Sequence, residues 1–277
     1  MVQGRPTPML RALWQADERH EGCKSMKDDV LAPIYPEIGA GGFTRADGTI
    51  EFYGRINALL RPEMVAVDLG AGRGCQFEDV NAYRRELVRI QGKVSKVIGI
   101  DVDPAVLTNT FVDEARVYDG GRLPLDDASV DLVYCDWVLE HIEDPVVFAS
   151  EVTRVLKLGG WFCARTPTAH SLTATVSRIV PNRLHAKSLE TIQRGTRKGE
   201  DVFPAFYRLN TLGALRQFFS GPLWASFSYT FSPSPSYHFG NTIIARAMCA
   251  LLYAKQPLGG ENLFVFLQKS AGERPSV

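Results

Sequence analysis

The sequence lacks an excess of charge of either sign. Its 277 residues include 31 Lys and Arg and 31 Asp and Glu, so the formal net charge at neutral pH is zero. Domains that bind nucleic acid usually carry a surplus of basic residues, because contacts to the phosphate backbone dominate that interaction. We therefore predict no nucleic-acid partner, beyond what a local basic patch would allow.

The sequence also has few cysteines and no long apolar run. The five cysteines form no C-x-x-C pair and their number is odd, which favours a reduced compartment over a disulfide framework. The N-terminus lacks the continuous apolar segment of a signal peptide. Residues 243–254 are the most apolar helical stretch, but they are few and include Arg246, so we expect no membrane span. These absences predict a cytoplasmic protein.

Patterns typical of metal binding are missing as well. The five histidines are scattered and the acidic residues are spread along the chain, so we predict no metal site. Hydrophobic residues make up 45% of the chain and charged residues 22%, which is typical of a globular protein with a sizeable core. The length favours one large domain with additions over two equal domains.

The most informative segment that is present is a glycine turn. An apolar run at residues 64–67 predicts a buried strand, and Asp68, Gly70, Gly72 and Gly74 follow it. Because glycine has no Cβ, such a backbone can turn sharply and lie against a ligand. A helical pattern comes next, and the first N–H groups of a helix are available to a ligand. We interpret the segment as a nucleotide-type site; a plain strand-to-helix turn is the alternative.

The glycine spacing separates two classes of nucleotide site. A dinucleotide fingerprint, G-x-G-x-x-G, needs a glycine at position 75, where this chain has Cys75. The segment instead resembles motif I of the class I S-adenosylmethionine-dependent methyltransferases, D/E-x-G-x-G-x-G, position by position. This resemblance implies S-adenosylmethionine as the cofactor, with its methionine half held by the loop. The cofactor-site residues that it implies here are Asp68, Gly70, Ala71 and Gly72.

Acidic residues end the next two predicted strands. Residues 94–100 read as a strand that ends at Asp101, whose carboxylate could accept hydrogen bonds from both ribose hydroxyls. The alternative is a helix cap, although Asp103 before Pro104 suits that role better. The run from Asp119 resembles the family pattern G-D-x-x-x-L-P-F-x-D-x-S-F-D-x-V, which implies that Asp119 lies near the adenine amino group; a turn aspartate is the alternative. Their neighbours Val102 and Gly120 are assigned to the same site.

The alternation of strands and helices predicts an α/β fold. Five strands lie within residues 64–165, and a sixth strand, a helix and an antiparallel seventh strand follow after residue 210. The expected architecture is a Rossmann-like, seven-stranded, mostly parallel sheet with helices on both faces and an antiparallel last strand. Residues 1–48 are expected to form an N-terminal arm and cap, and residues 49–277 the methyltransferase domain. In the family such a cap often closes over the cofactor; a helix that simply covers the sheet is the alternative.

The segment after the fourth strand carries the candidate catalytic residues. Leu139, Glu140 and His141 resemble the L-E-H segment of the small-molecule branch of the family. His141 is the candidate base, since an imidazole titrates near neutral pH; a purely structural histidine is the alternative. Asp136 could orient either the cofactor's amino group or the acceptor, and the sequence does not separate the two.

An insertion at residues 166–210 is predicted to form a lid that binds the acceptor, because it follows the fifth strand at the carboxyl edge of the sheet. Within it, Asp201, Tyr207 and Arg208 are the candidate acceptor-binding residues. Tyr207 could stack on a ring and Arg208 could pair with a carboxylate or phosphate. Packing of the lid is the alternative role for all three.

These features predict O-methylation of a sugar or another small hydroxyl compound. The Asp-x-Phe-Pro-x-x-Tyr-Arg stretch of the lid also resembles one seen in methyltransferases associated with bacterial surface glycans. The acceptor would be a small molecule or glycan, and oligomerisation stays open. The [D/N]-P-P-[Y/F] motif of amino-directed nucleic-acid enzymes and the Pro-Cys pair of pyrimidine carbon-5 enzymes are both absent. The alternatives are a C- or N-methyltransferase, an inactive cofactor-binding scaffold subunit and a dehydrogenase. The missing third glycine of the dinucleotide fingerprint argues against the dehydrogenase.

Overall fold

The computed structural model describes residues 26–74, 79–171, 204–235, 238, 240–256 and 259–270. The predicted arm at residues 1–25, most of the predicted lid (residues 172–203) and the candidate acceptor residue Asp201 lie outside the described residues. The chain divides into two compact units. One comprises Met1–Arg45 and Pro235–Met248, and the other comprises Ala46–Ser234 and Cys249–Val277.

Six α-helices and eight β-strands occur within the described residues. The helices are α1 Met26–Leu31, α2 Gly48–Leu59, α3 Ala82–Val88, α4 Pro145–Val155, α5 Leu212–Phe218 and α6 Thr242–Lys255. The strands are β1 Val65–Leu69, β2 Lys96–Asp101, β3 Glu114–Val117, β4 Val130–Asp136, β5 Leu156–Pro167, β6 Trp224–Ser226, β7 Tyr229–Phe231 and β8 Asn262–Lys269. Short 3-10 turns lie at Pro36–Gly39, Pro104–Thr108 and Leu139–His141.

The strands form one mixed sheet in the larger unit. Its order is β3-β2-β1-β4-β5-β8-β6, and β7 also pairs with β8. Strands β1 to β5 are parallel, whereas β8 is antiparallel to β5 and to both β6 and β7. The predicted mostly parallel sheet with an antiparallel last strand is confirmed. The strand order reverses direction between β1 and β4, and ligands of such sheets bind beyond the carboxyl ends at that point.

Apolar side chains cover both faces of the sheet because strand residues alternate between its two sides. On one face, Val133 and Phe162 pack with residues of α4 and α5. On the other face, Leu132 and Cys163 pack with α2 and α3. Helix α2 contributes Phe52 to this second layer, and its ring lies 5.7 Å from that of Phe264. The sheet therefore lies between two packed layers, one with α4 and α5 and the other with α2 and α3.

Helix starts follow the capping residues. Asp47 accepts hydrogen bonds from the backbone of Thr49 and Ile50 at 2.9 and 3.0 Å, which fixes the start of α2. Asp144 caps α4 in the same way. Asn210 precedes α5 and has a side chain of the capping type, but Thr211 is the cap, because its Oγ1 accepts the N–H of Ala214.

The sixth strand is interrupted, so the sheet has eight strands rather than the predicted seven. Phe227 and Ser228 separate β6 from β7. The N–H of Phe227 donates to the carbonyl of Phe266 at 2.8 Å, and the N–H of Phe266 donates to Oγ of Ser228 at 3.1 Å. A side chain thus replaces a backbone carbonyl in the ladder, which breaks the regular pairing.

The connections before β2 and β5 each contain a helix. Helix α3, before β2, has seven residues and begins at Ala82, where Asn81 caps it. Helix α4, before β5, ends at Val155, and Leu156 already belongs to β5. Gly159 therefore lies within the strand and does not end the helix.

Helix α6 does not bury one continuous apolar face. Ile243, Ile244 and Leu251 are exposed, whereas the buried residues of the helix are Ala245 and Leu252. In the smaller unit, Ala245 packs with Val30, Leu31 and Ile38. The small side chain of Ala245 allows this close approach, whereas Ile243 and Ile244 stay exposed.

Candidate cofactor and acceptor site

The glycine loop leaves β1 and is held by the end of β2. The N–H of Gly70 donates to the carbonyl of Ile100 at 2.7 Å, and the N–H of Gly72 donates to Oδ2 of Asp101 at 2.8 Å. Gly70, Gly72 and Gly74 have φ values of 81°, 48° and 84°, which lie in the left-handed region that favours glycine. The sequence of the loop therefore matches the conformation that it adopts.

The three glycines differ in what surrounds them. A Cβ on Gly70 would lie 2.3 Å from Cγ2 of Val138, and one on Gly74 would lie 2.9 Å from Oδ1 of Asn109. A Cβ on Gly72 would meet no protein atom within 4 Å. Gly70 and Gly74 thus serve packing, whereas the loop at Gly72 presents bare backbone to open space. A loop of this kind fits a ligand that lies against the main chain.

Asn109 is a part of this site that sequence reasoning missed. Its side chain is buried, and its amide donates to the carbonyls of Ala71 and Gly72 at 3.1 and 3.2 Å. Asn109 lies just after the 3-10 turn Pro104–Thr108, far from the loop in sequence. No local pattern marks a residue that acts across such a distance.

Asp101, the predicted ribose-binding residue, lies at the end of β2 beside the loop. Its Oδ2 accepts from Gly72, and its Oδ1 accepts the N–H of Asp103 at 2.9 Å. A carboxylate has about four acceptor positions, so these two bonds leave capacity for hydroxyl donors. Asp103 caps the following turn by accepting from Ala105 at 2.8 Å, as predicted.

Val102, Asp119 and Gly120 lie near one another after β2 and β3. A Cβ on Gly120 would lie 3.9 Å from Cγ1 of Val102. The exposed carboxylate of Asp119 accepts the N–H of Gly121 at 2.9 Å. The structure thus brings Val102 and Gly120 together. Asp119 makes a turn contact, as the alternative interpretation of this residue expected.

Asp68 is buried in β1 beneath the loop. Burial raises the pKa of this carboxyl to about 7, an effect that a hydrogen bond to Tyr134 reduces and the nearby carboxylates of Asp136 and Asp101 increase. Burial likewise raises the pKa of the Tyr134 phenol well above its usual value. The floor of the site is therefore a carboxyl–phenol pair in which the carboxyl has a pKa of about 7.

Asp136 forms an ion pair that the sequence did not reveal. Nε of Arg165 donates to its Oδ1 at 2.7 Å, and Nη2 donates to its Oδ2 at 2.5 Å. Tyr53 donates to Oδ2 at 3.3 Å, and Nη1 of Arg165 donates to Oγ1 of Thr49 at 3.0 Å. Asp136 and Arg165 are register partners on β4 and β5, so strand pairing explains why they meet. Helix α2 supplies the other two groups.

Trp137 follows Asp136 in an unusual backbone conformation. Its φ is 59°, which is a genuine outlier for a bulky residue. Its N–H donates to the carbonyl of Arg165 at 2.8 Å, and the guanidinium of Arg165 lies 5.2 Å from the centre of the indole ring. Strained residues of this kind concentrate at functional sites.

His141 ends a short 3-10 turn that holds the segment returning from the insertion. Nδ1 of His141 lies 2.8 Å from the carbonyl oxygen of Pro204. A carbonyl only accepts, so Nδ1 carries the hydrogen, and in the neutral ring Nε2 is the basic nitrogen. The backbone carbonyl of Glu140 accepts the N–H groups of Phe206 and Tyr207 at 2.7 and 3.1 Å.

Buried polar groups support this turn from below. The carboxyl of Glu140 accepts the hydroxyl of Thr166 at 2.7 Å, and Asn210 donates to the same hydroxyl at 2.6 Å. Burial raises the pKa of Glu140 above its ordinary value. Thr166 and Asn210 are the first and last residues of the insertion, so both of its ends are attached to the segment that carries His141.

The described acceptor candidates lie on the returning segment. Tyr207 has a φ of 55°, and Arg208 donates to the carbonyl of Glu143 and lies 5.4 Å from the centre of the Phe206 ring. The structure therefore places Tyr207 and Arg208 next to the turn that carries His141.

Comparison with known proteins agrees with this geometry. Residues 67–164, which run from β1 into β5, match a family described as methyltransferase domain. The chain contains a class I methyltransferase domain. The cofactor of this family is S-adenosylmethionine, and the motif I glycines are those of the loop described above.

Curated relatives match the methyltransferase domain over part of their length. A protein of Mycolicibacterium smegmatis, named a probable S-adenosylmethionine-dependent methyltransferase, is 37% identical over 35% of this chain and 39% of its own. A dimethylglycine N-methyltransferase of Parasynechococcus marenigrum is 23% identical over 69% of this chain and 65% of its own. The chain spans less than half the length of the first two curated relatives that it matches.

A solved structure resembles the chain over most of its length. A Haloferax volcanii methyltransferase in complex with the Trm112 methyltransferase activator is 17% identical, with a TM-score of 0.48 over 93% of this chain and 96% of its own.

Within the described ranges, no group of three or more His, Cys, Asp or Glu side chains could hold a metal ion. None of the six described helices combines the length and apolar character that crossing a bilayer requires.

Proposed function

We propose that the protein transfers a methyl group from S-adenosylmethionine to a small hydroxyl-bearing acceptor, such as a sugar. When bound, the cofactor supplies a methyl group on positively charged sulfur. The observation that carries the proposal is the open backbone at Gly72, in a loop that Asp101 fixes from the neighbouring strand. The residues that would hold the cofactor are Asp68, Gly70, Ala71, Gly72 and Asp101, with Val102, Asp119 and Gly120 at its adenosine end.

The charge of the site suits a cationic cofactor. Asp68, Asp101 and Asp136 all lie at the carboxyl ends of β1, β2 and β4. Arg165 offsets one of these charges through its bidentate bond to Asp136. We therefore assign Asp136 to positioning rather than to proton transfer, because both of its oxygens already accept hydrogen bonds from a guanidinium.

His141 is the proposed base. The contact of Nδ1 with Pro204 places the hydrogen of the neutral ring on Nδ1, so Nε2 would be the basic nitrogen that takes the proton of an acceptor hydroxyl. The pKa of a hydroxyl group lies far above 7, so an acceptor hydroxyl is hardly ionised at neutral pH. A positioned base should therefore contribute about 10²–10⁴ to the rate. Tyr207 and Arg208, held beside this turn, are the proposed acceptor contacts, together with Asp201.

N-methylation is the second candidate. The 23% identical dimethylglycine N-methyltransferase favours it, and a base at His141 could equally keep an amine acceptor unprotonated. Incubation with labelled S-adenosylmethionine and a panel of sugars, phenols and small amines, followed by mass detection, separates the two by the atom that carries the label. Binding of the cofactor but not of NAD in calorimetry is expected; the reverse result, or cofactor binding without turnover of any acceptor class, would contradict the proposal.

Two substitutions of His141 separate a base from a structural residue. His141→Asn can still donate to the Pro204 carbonyl but has no basic nitrogen, whereas His141→Ala loses both properties. If His141 is the base, both variants should lower the single-turnover rate by about 10²–10⁴, while His141→Asn keeps the wild-type melting temperature and cofactor affinity. A rate for His141→Asn within threefold of wild type would remove His141 from the catalytic role.

A further inference from the structure

Within the part of the chain that the structure describes, the ring of Trp137 packs on Arg165. Its backbone is held in the left-handed region by the bond from its N–H to the Arg165 carbonyl. Its ring lies on the Arg165 guanidinium, 5.2 Å from ring centre to Cζ. More than a third of the residue's surface, 36%, nevertheless stays exposed. A strained and exposed indole is hard to explain by core packing, because packing would bury it.

The group behind the ring is buried and held by several contacts. Arg165 is only 6% exposed, and it is clamped by two bonds to Asp136 and one to Thr49. The rings of Phe52 and Tyr53 also lie 5.6 and 5.9 Å from its guanidinium. The ion pair with Asp136 neutralises the charge of Arg165. The indole therefore rests on a buried, charge-neutralised group that three hydrogen bonds hold in place, which is what a preorganised binding surface needs.

The direction of the residue places it on the acceptor side. Val138, the next residue, touches the glycine loop, since a Cβ on Gly70 would lie 2.3 Å from its Cγ2. Trp137 instead bonds to Arg165 of β5, on the opposite side of β4 from β1. Consecutive residues thus contact different neighbours, with Val138 at the cofactor loop and Trp137 on the side where the insertion begins.

We propose that Trp137 is an acceptor-binding residue, on whose exposed surface a neutral ring of the acceptor stacks. This inference rests on the proposed function and narrows its substrate class to ring-bearing hydroxyl compounds. The C–H groups of a sugar ring or the face of a phenol would pack on the indole. An acyclic amino acid would gain little there, because it has no ring face to lie on the indole.

Saturation-transfer NMR tests the proposal on protein loaded with S-adenosylhomocysteine. The probes are methyl β-D-glucopyranoside and 4-methylphenol, with sorbitol and dimethylglycine as acyclic counterparts. Four proteins are compared, namely wild type, Trp137→Ala, Trp137→Phe and Tyr253→Ala. Tyr253 is an exposed aromatic residue of α6 and serves as the matched surface control. Calorimetry with S-adenosylhomocysteine and melting curves are recorded for each protein.

We expect at least one ring probe to receive saturation from the wild type, and neither acyclic probe to do so. Trp137→Ala should lower that signal at least fivefold, Trp137→Phe should retain most of it, and Tyr253→Ala should not change it. Cofactor affinity and melting temperature should stay within a few-fold and a few degrees of wild type. Equal signals in wild type and Trp137→Ala, preference for the acyclic probes, or no ring binding to the loaded wild type would overturn the inference. Failure of the wild type to bind S-adenosylhomocysteine would instead contradict the proposed function.

Discussion

At the scale of single residues, burial changes the chemistry of Asp68 most. Its carboxyl has a pKa of about 7 in the fold, against about 3.9 in an unfolded chain. Between these values the folded state binds more protons than the unfolded state, so the free energy of unfolding falls as the pH rises from about 4 to about 7. The ionised form is therefore the destabilising one.

Replacing Asp68 with Asn should remove this pH dependence. The gain in stability of Asp68→Asn over wild type should be larger at pH 8 than at pH 5 by about 2–3 kcal/mol, because the ionisation cost is absent. Urea unfolding of the cofactor-free protein at both pH values measures it. Asp119→Asn is the control, since that carboxylate is exposed. A difference that is the same at both pH values would show that Asp68 does not titrate in this range.

Single residues also show where sequence reasoning ends. Asp101 and His141 could be selected because each stands at a fixed distance from a local motif. Arg165 could not, because its role comes from strand register, which pairs it with Asp136 across 29 residues. Asn109 and Trp137 were missed for the same reason, since their contacts lie in distant parts of the chain. Local patterns do not encode such contacts.

At the scale of elements, the glycine loop combines packing and ligand binding in different positions. Gly70→Ala should be destabilising, because its Cβ would lie 2.3 Å from Val138 and the residue has a φ of 81°. We expect a loss of about 2–4 kcal/mol from the combined overlap and strain. Gly70→Ala combined with Val138→Ala should recover part of this loss beyond additivity.

Gly72→Ala is the matched control for that pair, since its Cβ would meet no protein atom within 4 Å. It should lose cofactor affinity while keeping most of the wild-type stability. Urea unfolding gives the stabilities and calorimetry gives the affinities. Purely additive effects of Gly70→Ala and Val138→Ala would contradict the proposed contact.

The two aspartates at the end of β2 should separate cofactor binding from stability. Asp101→Ala removes the bond to Gly72 and the proposed ribose acceptor, so cofactor affinity should fall by about 1.5–3 kcal/mol. Asp103→Ala removes a cap on a 3-10 turn and should cost about 1 kcal/mol of stability with little change in affinity. Calorimetry and urea unfolding measure both. The opposite ranking would show that the two roles are exchanged.

The elements themselves were largely predictable from the sequence. Strands β1 to β5, helix α4 with its Asp144 cap and strand β8 follow from apolar runs and capping residues. The exceptions have physical causes. Ser228 substitutes for a backbone acceptor and divides the sixth strand. Helix α6 buries Ala245 and Leu252, whereas its other large apolar residues, Ile243, Ile244 and Leu251, stay exposed. Hydrophobicity alone does not indicate which side of a helix has a neighbour.

At the scale of the whole molecule, a cofactor that binds only the folded state should stabilise it. At a concentration of 100 times the dissociation constant, S-adenosylhomocysteine should add about 2.7 kcal/mol. For a domain of this size that corresponds to a rise in melting temperature of about 5–10 °C. Differential scanning fluorimetry with the ligand and with NAD at equal concentrations measures it. A similar shift with NAD, or none with either, would count against the cofactor assignment.

The attachment of His141 to Pro204 has a consequence for how this protein could change its substrate. The turn that carries the proposed base is bonded to Pro204, Phe206 and Tyr207, and its support on Thr166 extends to Asn210. A graft that replaces residues 166–210 with a segment from a relative would therefore also alter the orientation and tautomer of the imidazole. New acceptor specificity, whether it arises by evolution or by engineering, would have to preserve a carbonyl at position 204 or change the base along with the lid.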